Sequence, residues 1–129
     1  MNWTEGRRKG FILSLLRKGF SRFPAKYETL KKASVGRKTN KATGRLAEHY
    51  KCAKCKKEFV KVDVEVDHIV TVVDVDKGFT SYDEYIDRLF CSPDNLQVLC
   101  SKCHKEKTKE ERERRKACQP ARNVKKKRQ

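Results

Sequence analysis

Two C-x-x-C pairs, Cys52-Ala53-Lys54-Cys55 and Cys100-Ser101-Lys102-Cys103, stand 44 residues apart in a chain with little else to build a core from. Apolar residues make up 36% of its 129 positions and charged residues 39%. A small chain so poor in core-formers needs a staple, either disulfides or a structural metal. Each pair has the spacing of a knuckle, a turn tight enough for both thiolates to reach one ion, and two knuckles complete a tetrahedral site of four sulfurs around zinc. The separation exceeds the usual ribbon spacing, so a sizeable insert must bulge from the site. A redox motif would need one pair in a thioredoxin-like context, which is absent. The expectation is structural Zn²⁺ on Cys52, Cys55, Cys100 and Cys103, against the alternative of four free thiols. Cys91, between Phe90 and Ser92, reads as a small buried hydrophobe, and Cys118 as a free thiol.

The compartment follows from what the N-terminal region does not contain. The run Phe11-Ile12-Leu13-Ser14-Leu15-Leu16 is too short for a membrane span and leads straight into Arg17-Lys18 without a small-residue cleavage site. It reads as a helix face. The expected setting is therefore intracellular and reducing, where disulfides are rare, with no membrane partner.

Charge gives the next constraint. The formal net charge is +16. Residues 1–49 carry 13 basic and 3 acidic side chains, residues 50–100 carry 7 and 10, and residues 101–129 carry 13 and 4. A mildly acidic centre between two strongly basic arms points to a polyanion, with nucleic acid ahead of an anionic membrane surface. In the first arm, Phe11, Ile12, Leu15, Leu16 and Phe20 approximate a helical stripe that Gly19 is placed to end. Pro24 opens a second helix, with Tyr27, Leu30 and Ala33 on one face and Gly36 as its stop. From Gly36 to Ala47 the composition predicts a flexible basic loop whose Arg37, Lys38, Lys41 and Arg45 lie along phosphates. Trp3, Phe20, Phe23 and Tyr27 could stack on bases or simply pack.

In the second arm, His104 to Lys116 contains no helix breaker, and Glu110–Arg114 and Glu111–Arg115 have favourable i, i+4 order, so a solvated helix is expected. The tail after Pro120, with Lys125-Lys126-Lys127-Arg128, reads as disordered. The expected division is a basic helical and loop arm (1–49), a central domain with the cysteines (50–117) and a basic tail (118–129).

Between the knuckles, Val60 to Val75 alternates as strand or hairpin sequence with Asp67-His68 in its middle. Ser81 opens a helix with a capping box, Ser81-x-x-Glu84, and Tyr82, Tyr85, Ile86, Leu89 and Phe90 form its buried face. Ser92-Pro93-Asp94-Asn95 is a turn, and Leu96 to Leu99 a short strand that leads to the second knuckle.

Asp67-His68, Asn95 and His104 are hard to explain as packing. In Val66-Asp67-His68-Ile69-Val70, then Asp94-Asn95-Leu96-Gln97-Val98-Leu99-Cys100, then Cys103-His104-Lys105-Glu106-Lys107-Thr108, the sequence resembles the HNH endonucleases, the zinc-knuckle branch of the ββα-metal (His-Me finger) nucleases. The match covers about residues 50–110, and the basic helical arm is similar to that of small phage-encoded HNH proteins. The resemblance implies an α+β fold, a small ββα-metal core stapled by the four-cysteine zinc site, with a basic helical N-terminal arm and a charged C-terminal helix and tail. It also implies a metal-dependent endonuclease that hydrolyses DNA phosphodiester bonds as a monomer or weak dimer. Family roles carried to matching positions put Asp67 and His104 on one divalent cation, Mg²⁺ or Mn²⁺, with His68 as general base and Asn95 fixing the His68 segment.

The chemistry of these residues is compatible with that reading. Phosphodiester hydrolysis needs a base for water, a cation on the phosphate and stabilisation of the leaving 3′-oxygen, and imidazole suits the first task. Neighbours on a strand point to opposite faces, so Asp67 and His68 must straddle a site or sit at a frayed end. His104 could alternatively be a further zinc ligand, and Asn95 simple turn chemistry. Lys107 could touch a phosphate or remain solvated. The chain departs from the simplest pattern in the helical insert near residues 80–90, whose mixed charge suits support of the His68 strand. A non-catalytic zinc-stapled nucleic-acid-binding protein is the alternative, and it leaves Asp67, His68 and His104 without purpose.

Overall fold

The computed structural model describes residues 3–117, an α+β arrangement of four helices and five strands. Cys118 and the tail read as disordered lie outside the described residues. Helix α1 (Glu5–Phe20) is capped by Thr4, whose hydroxyl accepts from the Arg7 amide. Its expected apolar stripe is only partly used, since none of its residues is buried and Phe11 and Leu15 are more than half exposed. Helix α2 (Pro24–Ala33) starts on its proline as expected and runs directly into strand β1 (Ser34–Thr39). Gly36 is therefore no helix stop. At φ +96° it takes up the bulge where the register shifts between Ser34 and Gly36.

The expected flexible loop over 36–47 is instead a β-hairpin. β1 pairs antiparallel with β2 (Leu46–Lys51), Thr39 opposite Leu46. The turn is built by Asn40, whose side-chain oxygen accepts from the Ala42 amide and whose carbonyl accepts from Gly44, itself at φ +74°. Thr, Asn and Gly here encode a turn between strands, and β3 (Glu58–Val60), paired to β2 beyond the first knuckle, completes a three-stranded sheet. Residue 49 falls inside β2, so basic arm and central region share one sheet.

The second sheet positions the site. β4 (Val64–His68) pairs antiparallel with β5 (Leu96–Cys100), with Asp67 opposite Gln97 and His68 opposite Leu96. Alternation gives it two faces. On one, Val64 and Val98 pack with Leu30 of α2, flanked by Ala33, Tyr50, Phe59 and Val66. On the other lie Glu65, Asp67, Gln97 and Leu99, over which passes helix α4 (Ser101–Ala117). The expected strand over 60–75 is thus two short strands with a 3-10 turn between them, and residues 69–80 form a loop with one isolated bridge, Asp74 to Gly78.

Helix α3 (Tyr82–Leu89) begins at Ser81, whose hydroxyl accepts from the Glu84 amide. Tyr85 and Leu89 are buried, whereas Tyr82 and Ile86 stay exposed, a narrower face than the sequence suggested. The Glu84 carboxylate turns to Thr80 and to Arg88, and Arg88 also donates to the Thr71 carbonyl, so α3 braces the loop. On α4 the expected local pairs give way to the same loop: Arg114 forks onto Asp76, and Arg115 donates to the Val73 carbonyl. No helix among the described residues is long and apolar enough to cross a membrane.

Candidate functional site

The two knuckles converge. The ligand atoms of Cys52, Cys55, Cys100 and Cys103 all lie within 4.8 Å of one another, with Cys55 Sγ and Cys100 Sγ 3.9 Å apart. Tetrahedral zinc with Zn–S bonds near 2.3 Å separates its sulfurs by about 3.8 Å. Local backbone makes each turn. Lys56 adopts φ +64°, its amide donates to the Cys52 carbonyl, and Ala53 N–H reaches across to the Val98 carbonyl. At the other knuckle the Cys100 sulfur accepts from the Cys103 amide at the start of α4.

The thiols oppose one another's ionisation. Burial pushes the Cys52 thiol up, but the amides of Cys100, Cys55 and Lys54 and the Cys55 thiol more than offset this and bring it down to about 6. Cys103 is pushed up to about 12 by burial, by hydrogen bonds with the thiols of Cys100, Cys52 and Cys55, and by the charge on Cys52. An ionised Cys52 thus makes Cys103 harder to ionise, an opposition that a bound cation would relieve. Among the described residues, this is the group of three or more His, Cys, Asp or Glu side chains that converges on one point. Cys91 is half-buried, and its sulfur takes a weak contact from Asn95 Nδ2 at 3.8 Å.

One residue beyond the second knuckle, α4 turns His104 toward β4. His104 Nε2 lies 3.7 Å from Asp67 Oδ1, and its Nδ1 lies 2.7 Å from Glu65 Oε2. Asp67 Oδ2 accepts from Lys107 Nζ at 2.5 Å and from Gln97 Nε2 at 3.1 Å. Lys107 also donates to the His68 and Ile69 carbonyls and pairs with Glu111. Its ammonium points inward, into contacts that leave little for a phosphate. The fold therefore brings Asp67, His104 and Lys107 together, with Glu65, which sequence reasoning passed over. The signal for Glu65 was available: two residues before Asp67 on a strand is the same face.

His68 goes the other way. Its Nε2 lies 2.8 Å from the Leu89 carbonyl at the end of α3, and its ring packs against Phe20 of α1 with centroids 4.8 Å apart. A carbonyl can only accept, so Nε2 carries the proton of the neutral imidazole and Nδ1 keeps the lone pair. Phe20 and Phe23 both pack against Phe90, which identifies them as packing aromatics, while Tyr27 is exposed and donates to the Ser21 carbonyl. Asn95 fastens the chain just after His68. Its Oδ1 accepts from the Val70 amide at 2.9 Å, its Nδ2 donates to the Val70 carbonyl at 3.3 Å, and the Ile69 amide donates to its backbone oxygen.

Arg37, Lys38, Lys41 and Arg45 lie apart from these groups, on the exposed β1–β2 hairpin, where Lys38 pairs with Glu58. No acidic side chain occurs between residues 35 and 47. No family model, curated protein or solved structure matches this chain.

Proposed function

We propose that this protein is an HNH-type endonuclease that hydrolyses DNA phosphodiester bonds, with structural Zn²⁺ on its four cysteines. The observation that carries this reading is the pair of faces at the end of β4. Asp67 and His104 oppose each other across β4 and α4, while His68, the next residue, is held at one ring nitrogen by a backbone carbonyl and left basic at the other.

The donor set fits a hard divalent cation such as Mg²⁺ or Mn²⁺. One carboxylate oxygen and one imidazole nitrogen supply two ligands, and water and phosphate oxygens fill the remainder. When bound, such an ion polarises the phosphate and stabilises charge on the leaving oxygen. The chain's own part is the rest. His68 Nδ1 takes a proton from the water that attacks phosphorus, and the bond to the 3′-oxygen breaks as the new P–O bond forms. Asn95 and Lys107 hold the His68–Val70 backbone still during that transfer. The β1–β2 hairpin, with Arg37, Lys41 and Arg45 exposed, is of a size that the major groove admits and grips the duplex away from the cut. Its fold as a two-stranded ribbon replaces the pliant loop expected from composition.

A second reading, a zinc-stapled nucleic-acid-binding protein without catalysis, draws on one observation: Lys107 already neutralises Asp67. Supercoiled plasmid separates the two. With Mg²⁺ or Mn²⁺ the protein is expected to relax or linearise it, and His68→Ala to abolish cleavage while keeping its zinc. Binding without cleavage under every divalent metal favours the second reading, and undiminished cleavage by His68→Ala removes His68 as the base.

A further inference from the structure

Glu65 lies outside every motif of the sequence, yet it holds the ring that faces Asp67. Two periodicities bring this about. On β4, residues two apart share a face, so Glu65 and Asp67 both look toward α4. On α4, residues three apart share a face, so His104 and Lys107 both look back. Four side chains thereby form a chain of contacts: Glu65 to His104, His104 to Asp67, and Asp67 to Lys107.

The middle link differs from the outer two. At 2.7 Å, Glu65 Oε2 accepts from His104 Nδ1, which assigns the proton of the neutral ring to Nδ1 and the lone pair to Nε2. On the other side, Lys107 and Gln97 both donate to Asp67 Oδ2, which leaves Oδ1 as the uncommitted oxygen. His104 Nε2 and Asp67 Oδ1 then face each other at 3.7 Å, beyond hydrogen-bond range. Facing each other without a direct hydrogen bond, the two atoms are placed to share a cation. Two ligands bonded at about 2.1 Å stand roughly 3.0 to 3.4 Å apart in octahedral or tetrahedral sites, so a movement of a few tenths of an ångström closes the pair on an ion.

We propose that Glu65 is a positioning residue of this cation site, which orients His104 so that Nε2 is the liganding nitrogen. The inference rests on the reading of Asp67 and His104 as cation ligands. Glu65 acts through the ring: it is itself half exposed, and it sets the imidazole's tautomer and rotation.

The test uses the full, zinc-loaded chain and Mn²⁺ as the probe. Calorimetry measures Mn²⁺ binding, elemental analysis confirms that zinc is retained, and nitrogen-15 NMR of the histidines reports the His104 tautomer without Mn²⁺. Wild type is expected to show the Nδ1–H tautomer. Glu65→Ala is expected to lose that preference and to bind Mn²⁺ about tenfold more weakly. Glu65→Gln, whose amide oxygen still accepts from Nδ1, is expected to recover most of both. The proposal is overturned if Glu65→Ala leaves tautomer and affinity unchanged. It is equally overturned if Glu65→Gln is as weak as Glu65→Ala, because the carboxylate charge and not orientation is then what matters. His104→Ala separates the two levels. If His104→Ala matches wild type in Mn²⁺ affinity, the cation site itself fails; if it abolishes binding while Glu65→Ala does not weaken it, only the role of Glu65 fails.

Discussion

Phe20, the last residue of the first helix, lies with its ring 4.8 Å from the His68 imidazole at the end of β4. The same ring touches Phe23 and Phe90, so two aromatics of the basic arm and one from the end of α3 cluster beside the histidine proposed as base. Nearby, Arg17 Nε donates to the Tyr85 hydroxyl at 2.7 Å and ties α1 to α3. Phe20→Ala removes its ring from this cluster and leaves the Leu89 bond to His68. We expect a stability loss of about 1–2 kcal/mol from lost aromatic contacts. In plasmid nicking, kcat is expected to fall well beyond any change in KM, and zinc content to stay constant. An unchanged kcat means that the Leu89 carbonyl alone sets the imidazole.

Asn95 makes a two-sided clasp with Val70, one bond to its amide and one to its carbonyl. Asn95→Ala leaves the Val70 amide and carbonyl unclasped at about 1–2 kcal/mol. Asn95→Asp keeps the acceptor for the amide and loses the donor. Chemical denaturation is expected to rank the three proteins wild type, Asp, Ala, and nicking rates to follow the same order.

Metal removal reaches the fold through the cysteines. Cys52, Cys100 and Cys103 form a core cluster with Leu99, so the sulfurs occupy space that another protein would fill with hydrocarbon. Cys52→Ser is expected to lose its zinc and to melt roughly 10 °C lower or more, because ~1 kcal/mol moves the midpoint of a chain this size by ~3–6 °C. Metal analysis and a thermal scan on one sample check both.

DNA affinity is expected to divide from chemistry. Replacing Arg37, Lys41 and Arg45 together with Ala should reduce the slope of log affinity against log salt by about 3 units if each meets a phosphate. Single-turnover cleavage at saturating DNA should change little. An unaltered slope removes the β1–β2 hairpin from the interface.

Asp74 gives a pH-dependent signature. The amides of Lys77 and Asp76 donate to its carboxylate and hold it below the usual aspartate range, against a smaller effect of burial, with the charges of Arg88 and Lys77 adding to the shift. A depressed carboxylate stabilises the fold above its unfolded value, and that contribution is lost as pH falls through the folded value. Protection of the Asp76 and Lys77 amides against exchange, relative to the intrinsic rate at each pH, should therefore fall only in distinctly acidic solution. In Asp74→Asn, which titrates nowhere, this acid step should vanish.

What the sequence made legible was whatever short-range chemistry decides. The four cysteines announce their own geometry, Ser81 caps α3 as its spacing requires, and the alternation around Asp67 correctly places a strand there. The hairpin over 36–47 was not legible, because Thr, Asn and Gly read as loop until β3, from across the knuckle, supplies a partner for β2. Glu110 and Arg114 satisfy the helical pairing rule, yet Asp76 offers Arg114 both carboxylate oxygens, and the tertiary fork prevails. At the site, Glu65 was within reach of a period-two argument. The Leu89 carbonyl that holds His68 was not, since a backbone oxygen has no identity in a sequence and only the path of α3 brings it there.

The Cys103–His104 peptide bond joins the four-cysteine cluster to the proposed cation site, and this fixes helix α4 in angular phase. Cys100 and Cys103 clamp its first turn, so each later residue is indexed from that clamp at about 100° per step. A single residue inserted after Cys103 would leave the thiolates in place and swing His104 and Lys107 by that angle, off the face of β4. The knuckle thus serves as the zero mark of a dial whose readings are His104, one step on, and Lys107, four steps on.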